Sequence, residues 1–62
     1  MIKYIIKDLN TNEYFYGVLV ERLLWTTDIN LVQIFNSSSA AFEFLKDNEF
    51  VGTFSVIEIY KK

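Results

Sequence analysis

The sequence predicts an α+β fold: a small antiparallel sheet, built from an N-terminal hairpin, a short middle strand and a C-terminal strand, with one helix packed on one face. Three observations carry this. Residues 1–7 alternate, placing Ile2, Tyr4 and Ile6 on one side and Lys3, Ile5 and Lys7 on the other, and they are rich in β-branched and aromatic types. Residues 53–60 alternate in the same way. Between these segments Ala40, Ala41, Phe44, Leu45 and Asn48 recur at three- and four-residue spacing, the stripe of an amphipathic helix. A helix laid across one face of a small sheet buries both apolar sides at once.

Each element follows from its residues. The run Asp8-Leu9-Asn10-Thr11-Asn12 has the side chains of a turn, so residues 13–21 return as a second strand. Gly17 inside that strand marks a bulge or a close backbone approach. Residues 22–25 either continue the strand or leave it. Thr26, Thr27 and Asp28 offer capping oxygens for a short helical turn over residues 29–32, and residues 33–35 read as a short extended piece. Ser37 is the expected N-cap of a helix running from Ser38 to about Asn48, which accounts for the three consecutive serines. Asp47, Asn48 and Glu49 end it, with Asn48 expected as a left-handed cap. Gly52 turns the chain into the last strand, and Lys61 and Lys62 fray into water.

Composition narrows the function. The chain has 62 residues, expected to form a single domain over 1–62, and a net charge of −2. A domain this short buries only about 60% of the surface its unfolded chain exposes, yet 52% of its residues are apolar. Some of that apolar area is therefore expected at the surface, where patches mark interfaces. Cysteine is absent, so there is no disulfide framework, and together with the lack of a signal-peptide pattern this gives a cytoplasmic expectation. No apolar run exceeds three residues, so no membrane span is expected.

Alternation sorts the sheet into two faces. Ile2, Tyr4, Ile6, Phe15, Leu19, Ser55, Ile57 and Ile59 form one, expected beneath Ala41, Phe44 and Leu45 of the helix. The other holds Lys3, Ile5, Lys7, Tyr14, Tyr16, Val18, Val20, Phe54, Val56, Glu58 and Tyr60. A solvated face normally carries polar residues. Here it carries aromatics and valines, and Tyr suits interfaces because it joins apolar area to a polar tip. Either residues 21–35 fold back to cover it, through Leu23, Leu24, Trp25 and Ile34, or it meets a second copy or a target. Trp25 is a core anchor or an interface hot spot. Phe42 lies about 100° off the helix stripe and is a surface candidate. The candidate partner-binding set is Tyr14, Tyr16, Val18, Trp25, Phe42, Phe54, Val56 and Tyr60.

Catalysis has few means here. His and Cys are absent, which removes the usual general base, thiol nucleophiles and soft metal ligands, and two glycines make no phosphate-cradling loop. The acids Asp8, Glu13, Glu21, Asp28, Glu43, Asp47, Glu49 and Glu58 are scattered over turns and solvent faces. No enzyme activity, cofactor or metal is expected. The alternative to protein binding is single-stranded nucleic acid, with Tyr14, Tyr16, Phe54 and Tyr60 stacking bases and Lys3, Lys7, Lys61 and Lys62 meeting phosphates. The acidic balance and Glu58 on the same face weigh against it.

The middle of the chain reads Trp25-Thr26-Thr27-Asp28, then Val32, Phe35, Ser37 and Ala41. This resembles a pattern in small proteins of phages and prophages, where Trp, Asp, a small residue, Phe, Ser and Ala recur at this spacing between an N-terminal hairpin and a C-terminal strand. The sequence departs from it at Val32, where Ala is usual. The match spans about residues 2–60 in outline and six positions in detail. The resemblance implies this fold outline and a phage or mobile-element origin, and it carries no catalytic residue. Some phage proteins of this size block host defence enzymes by binding them. By that analogy the expected partner is a host protein; a second copy of the chain is expected from the apolar excess itself.

Overall fold

The computed structural model describes residues 1–48 and 52–60. Strands β1 (Ile2–Asp8), β2 (Glu13–Leu19) and β3 (Arg22–Thr26) are followed by helix α1 (Ser38–Asp47) and strand β4 (Phe54–Tyr60). The sheet is antiparallel in the order β3-β2-β1-β4, and α1 contacts β1 and β4. The fold is therefore α+β, as the patterning predicts. Glu49, Lys61 and Lys62, expected at the helix end and the frayed terminus, lie outside the described residues.

The turns follow from short polar side chains. Asp8 Oδ1 accepts from Asn10 N–H at 2.9 Å and Asp8 O accepts from Asn12 N–H at 2.9 Å, with Asn12 left-handed at φ 61°. Asp28 repeats the device: its Oδ1 accepts from Asn30 N–H at 2.9 Å and its carbonyl from Leu31 N–H at 3.0 Å. That closes a single turn rather than the helical turn predicted over 29–32. Ser37 Oγ accepts from Ala40 N–H at 3.1 Å, the expected N-cap. Asn48 ends the helix at φ −100°, not left-handed; its side-chain amide donates to Phe44 O at 2.9 Å instead.

The middle of the chain differs from its prediction in one instructive way. Strand two does not reach residue 21. Val20 and Glu21 form a two-residue turn between Leu19 and Arg22, and residues 22–26 return as β3. The expected bulge is present between Phe15 and Gly17. The close approach is not, since a Cβ on Gly17 would meet nothing within 4 Å. β1 and β2 pair only at Lys7–Tyr14 and Asp8–Glu13. Beyond that they part, and residues 33–35 wedge between them. Gln33 N–H donates to Phe15 O at 3.0 Å, while Phe35 and Tyr4 exchange bonds of 2.8 and 3.0 Å. The wedge satisfies backbone groups that the parting strands would otherwise leave unpaired.

Ile6 and Phe15 of the sheet and Ala41 of α1 form the core between them, ringed by Tyr4, Leu23, Trp25, Phe35, Phe44, Leu45, Phe54 and Val56, while Ile5 is buried on the opposite face. The rings run in a chain: Phe35 to Phe44 at 5.5 Å, Phe44 to Phe15 at 4.9 Å, Phe15 to Trp25 at 5.9 Å, and Trp25 to Phe54 at 5.5 Å. The last pair joins β3 to β4, the two edges of the sheet. In a flat sheet those edges stand three steps of about 4.8 Å apart, about 14 Å in all. The sheet therefore curls, closing its helix-side face around the aromatics.

This core overturns the face assignment of β4. Residues directly opposite in an antiparallel ladder share a face. Ile6 lies opposite Val56, Tyr4 opposite Glu58 and Asp8 opposite Phe54, whereas Ile5 meets Ile57 and Lys7 meets Ser55. Phe54 and Val56 thus belong to the helix side, and Ser55, Ile57 and Ile59 to the other. Leu19, expected in the core, is exposed because the hairpin carries it beyond the body of the sheet. Leu23 and Trp25 do not cover the second face; they line the core.

Candidate interaction surface

The candidate partner residues separate into three environments. Trp25, Phe54 and Val56 are half-buried and packed against the core. They help hold the fold from the helix side of the sheet. Tyr14 is half-buried on the opposite face, where Lys7 Nζ sits 5.6 Å from its ring centroid. Tyr16 occupies the bulge and is exposed. Phe42, on α1, is 58% exposed, and Tyr60, at the end of β4, is 83% exposed. The sheet face expected to unite Tyr14, Tyr16 and Val18 with Phe54, Val56 and Tyr60 does not exist, because β4 turns those three residues to the helix side, away from Tyr14.

Val18 instead belongs to a group that strand alternation alone does not assemble. Val18, Leu19 and Val20 are 53%, 62% and 84% exposed and lie consecutively at the tip of the β2–β3 hairpin. The turn has φ of 50° at Val20 and 61° at Glu21. Positive φ at both central residues marks the type I′ turn, whose twist suits a hairpin and whose usual residues are Asn and Gly. A β-branched residue there is an outlier, because its Cβ crowds the adjacent backbone. The left-handed conformation costs about 1–2 kcal/mol for an ordinary L-residue. The sequence thus sets an apolar residue in a strained turn and leaves its side chain in water.

A signal for the tip was present in the chain. A second strand over 13–21 is longer than the first, so its end must overhang, and its last apolar residues are Val18, Leu19 and Val20. Without Gly or Asn at the reversal, the overhang reads as uninterrupted strand.

The candidate nucleic-acid residues also divide. Lys3, Lys7 and Tyr14 share the face away from α1, and Tyr60, opposite Ile2, lies on the other. Lys3 Nζ donates to Asn36 Oδ1 at 2.7 Å. Glu58, expected beside the lysines, is on the helix side, opposite Tyr4. Among the described residues there is no cavity, no cluster of three acids able to hold a metal, and no helix long and apolar enough to cross a membrane. Comparison of the chain with protein-family models, curated proteins and solved structures gave no match.

Proposed function

We propose that the protein acts by binding another protein, without catalysis, and that the hairpin tip at Val18, Leu19 and Val20 is the point of contact. The observation that carries this is Val20, held at φ 50° and 84% exposed. A residue that costs the turn energy and gains little burial in return is better explained by a partner than by the fold. Consecutive apolar side chains on a narrow projecting hairpin suit a recess in a partner's surface, where a few desolvated side chains supply most of the affinity. The resemblance to small phage proteins makes a host protein the first partner to test, and inhibition of a host defence enzyme the consequence to look for.

The test compares the wild-type chain with Leu19→Ser/Val20→Asn as bait in a host lysate, with Phe42→Ser as the control. A protein held by the wild type and by the Phe42 variant, and lost with the tip variant, supports the reading. A protein held equally by all three contradicts it.

A second reading, single-stranded nucleic acid at the Lys3–Lys7–Tyr14 face, draws support from the removal of Glu58 from that face. Oligonucleotide anisotropy at low and high salt tests it. Binding that weakens with salt and with Lys3→Gln/Lys7→Gln is expected; no binding at low salt ends this reading.

A further inference from the structure

The outer edge of β4 carries a different signal, independent of the hairpin tip. Natural sheets protect edge strands with bulges, prolines, lysines or shortness. β3, at one edge, has five residues and pairs through the bulge. β4, at the other, runs seven residues in unbroken register with β1, without Pro, Gly or Lys, and its only charge is Glu58.

The direction of its backbone groups can be read from β1. Tyr4 spends both its N–H and its C=O on Phe35, on the side away from β4. In an antiparallel ladder, a residue whose groups turn away from its neighbour stands opposite one that does the same. Glu58, opposite Tyr4, therefore aims its N–H and C=O outward, and so does Val56, two residues earlier. Leu9 N–H bonds to Thr53 O at 2.9 Å, which sets the same phase from the other end of the strand. Ser55, Ile57 and Ile59 face β1.

The geometry points to a second copy of this chain as the occupant of that edge, with two β4 strands antiparallel about a two-fold axis at Ile57. Only a strand can complement a row of alternating donors and acceptors, and this strand complements itself. With Ile57 opposite its own twin, Val56 of each copy meets Glu58 of the other, so the outward groups fall into reciprocal hydrogen-bonded pairs. Glu58 faces a valine and not another carboxylate. Moving the axis one residue towards Tyr60 would set Glu58 against Glu58, a like-charge contact that disfavours it, and moving it one residue the other way would shorten the paired stretch, since Ile57 is the midpoint of β4. Away from α1, the chosen register brings the two Ile57 side chains together and continues the row begun by Ile5 and Ile57 within each copy.

Sedimentation of the full chain across the micromolar range is the first test, with twice the chain mass expected at the upper end. The second is register. The sequence has no Cys, so single variants are unambiguous. Ile57→Cys is expected to cross-link to its twin under mild oxidation, because directly opposite Cβ atoms lie about 4.5–5.5 Å apart. Ser55→Cys is expected not to, its twin being four residues along the partner strand, about 14 Å away. The third is a synthetic chain N-methylated at Glu58, which lacks only an outward donor; it is expected to keep its circular dichroism and sediment as a monomer. A wild-type monomer at all concentrations, equal cross-linking at 55 and 57, or an N-methylated chain that still dimerises would each overturn the proposal. So would loss of the fold on N-methylation, since the donor would then face β1.

Discussion

Phe15 and Trp25 show how residue chemistry became position. Phe15 touches the rings of Trp25, Phe35 and Phe44 and is essentially without solvent exposure. Truncating such a residue costs about 3–5 kcal/mol, and a core in a domain of this size rarely supplies more than about 3–5 kcal/mol in total. Phe15→Ala is therefore expected to abolish the native circular dichroism at 25 °C; a folded variant would mean that the aromatic chain is not the core. Phe15 was legible as a core residue from its alternation with Tyr14 and Tyr16. The placement of Phe54 and Val56 was not. In β4 both alternating sets are apolar, Phe54 with Val56 and Ile57 with Ile59, so hydropathy does not choose between them. The choice comes from Trp25, which approaches from the far edge of the curled sheet and stacks on Phe54.

At the scale of elements, the helix was the clearest part of the chain. Its stripe, its start and its cap residue are local properties, and Ser37 Oγ meets the Ala40 N–H as expected. Ser37→Ala is expected to cost about 1 kcal/mol, measured as a lower urea midpoint; an unchanged midpoint would show that the cap contributes nothing to the folded state. The β2–β3 hairpin was hidden for the opposite reason. Val20–Glu21 carries no turn chemistry, and the reversal is imposed by the packing of Leu23 and Trp25 on the core beside Phe15. The wedge at residues 33–35 was legible as extended chain, but its place between β1 and β2 depends on where those strands part, which no local pattern states.

Across the whole molecule, one aromatic chain ties β2, β3, α1 and β4 together, from Phe35 before the helix through Phe44 and Phe15 to Trp25 and Phe54 on the two sheet edges, and β1 joins the same core through Ile6. No element keeps its apolar side buried if another leaves. Unfolding is therefore expected to be a single transition. Trp25 is the one tryptophan in the chain, so its fluorescence reports the junction of the edges, while far-UV circular dichroism reports the backbone. Coincident midpoints are expected; an earlier fluorescence change would mean that the edges separate while the sheet and helix persist. Fold class was legible at this scale because it follows from the order of alternating and helical segments. The interaction surface was not, because it arises where the closed core leaves residues over, at the overhanging hairpin and along β4.

The central claim is that Val20 does not serve the monomer. The most direct measurement is the urea midpoint of Val20→Asn beside that of the wild type. Asn tolerates the left-handed turn that Val resists, so a rise corresponding to about 1 kcal/mol is expected. A lower midpoint would show that the valine stabilises the fold it sits in, and its exposure at the tip would no longer call for a partner.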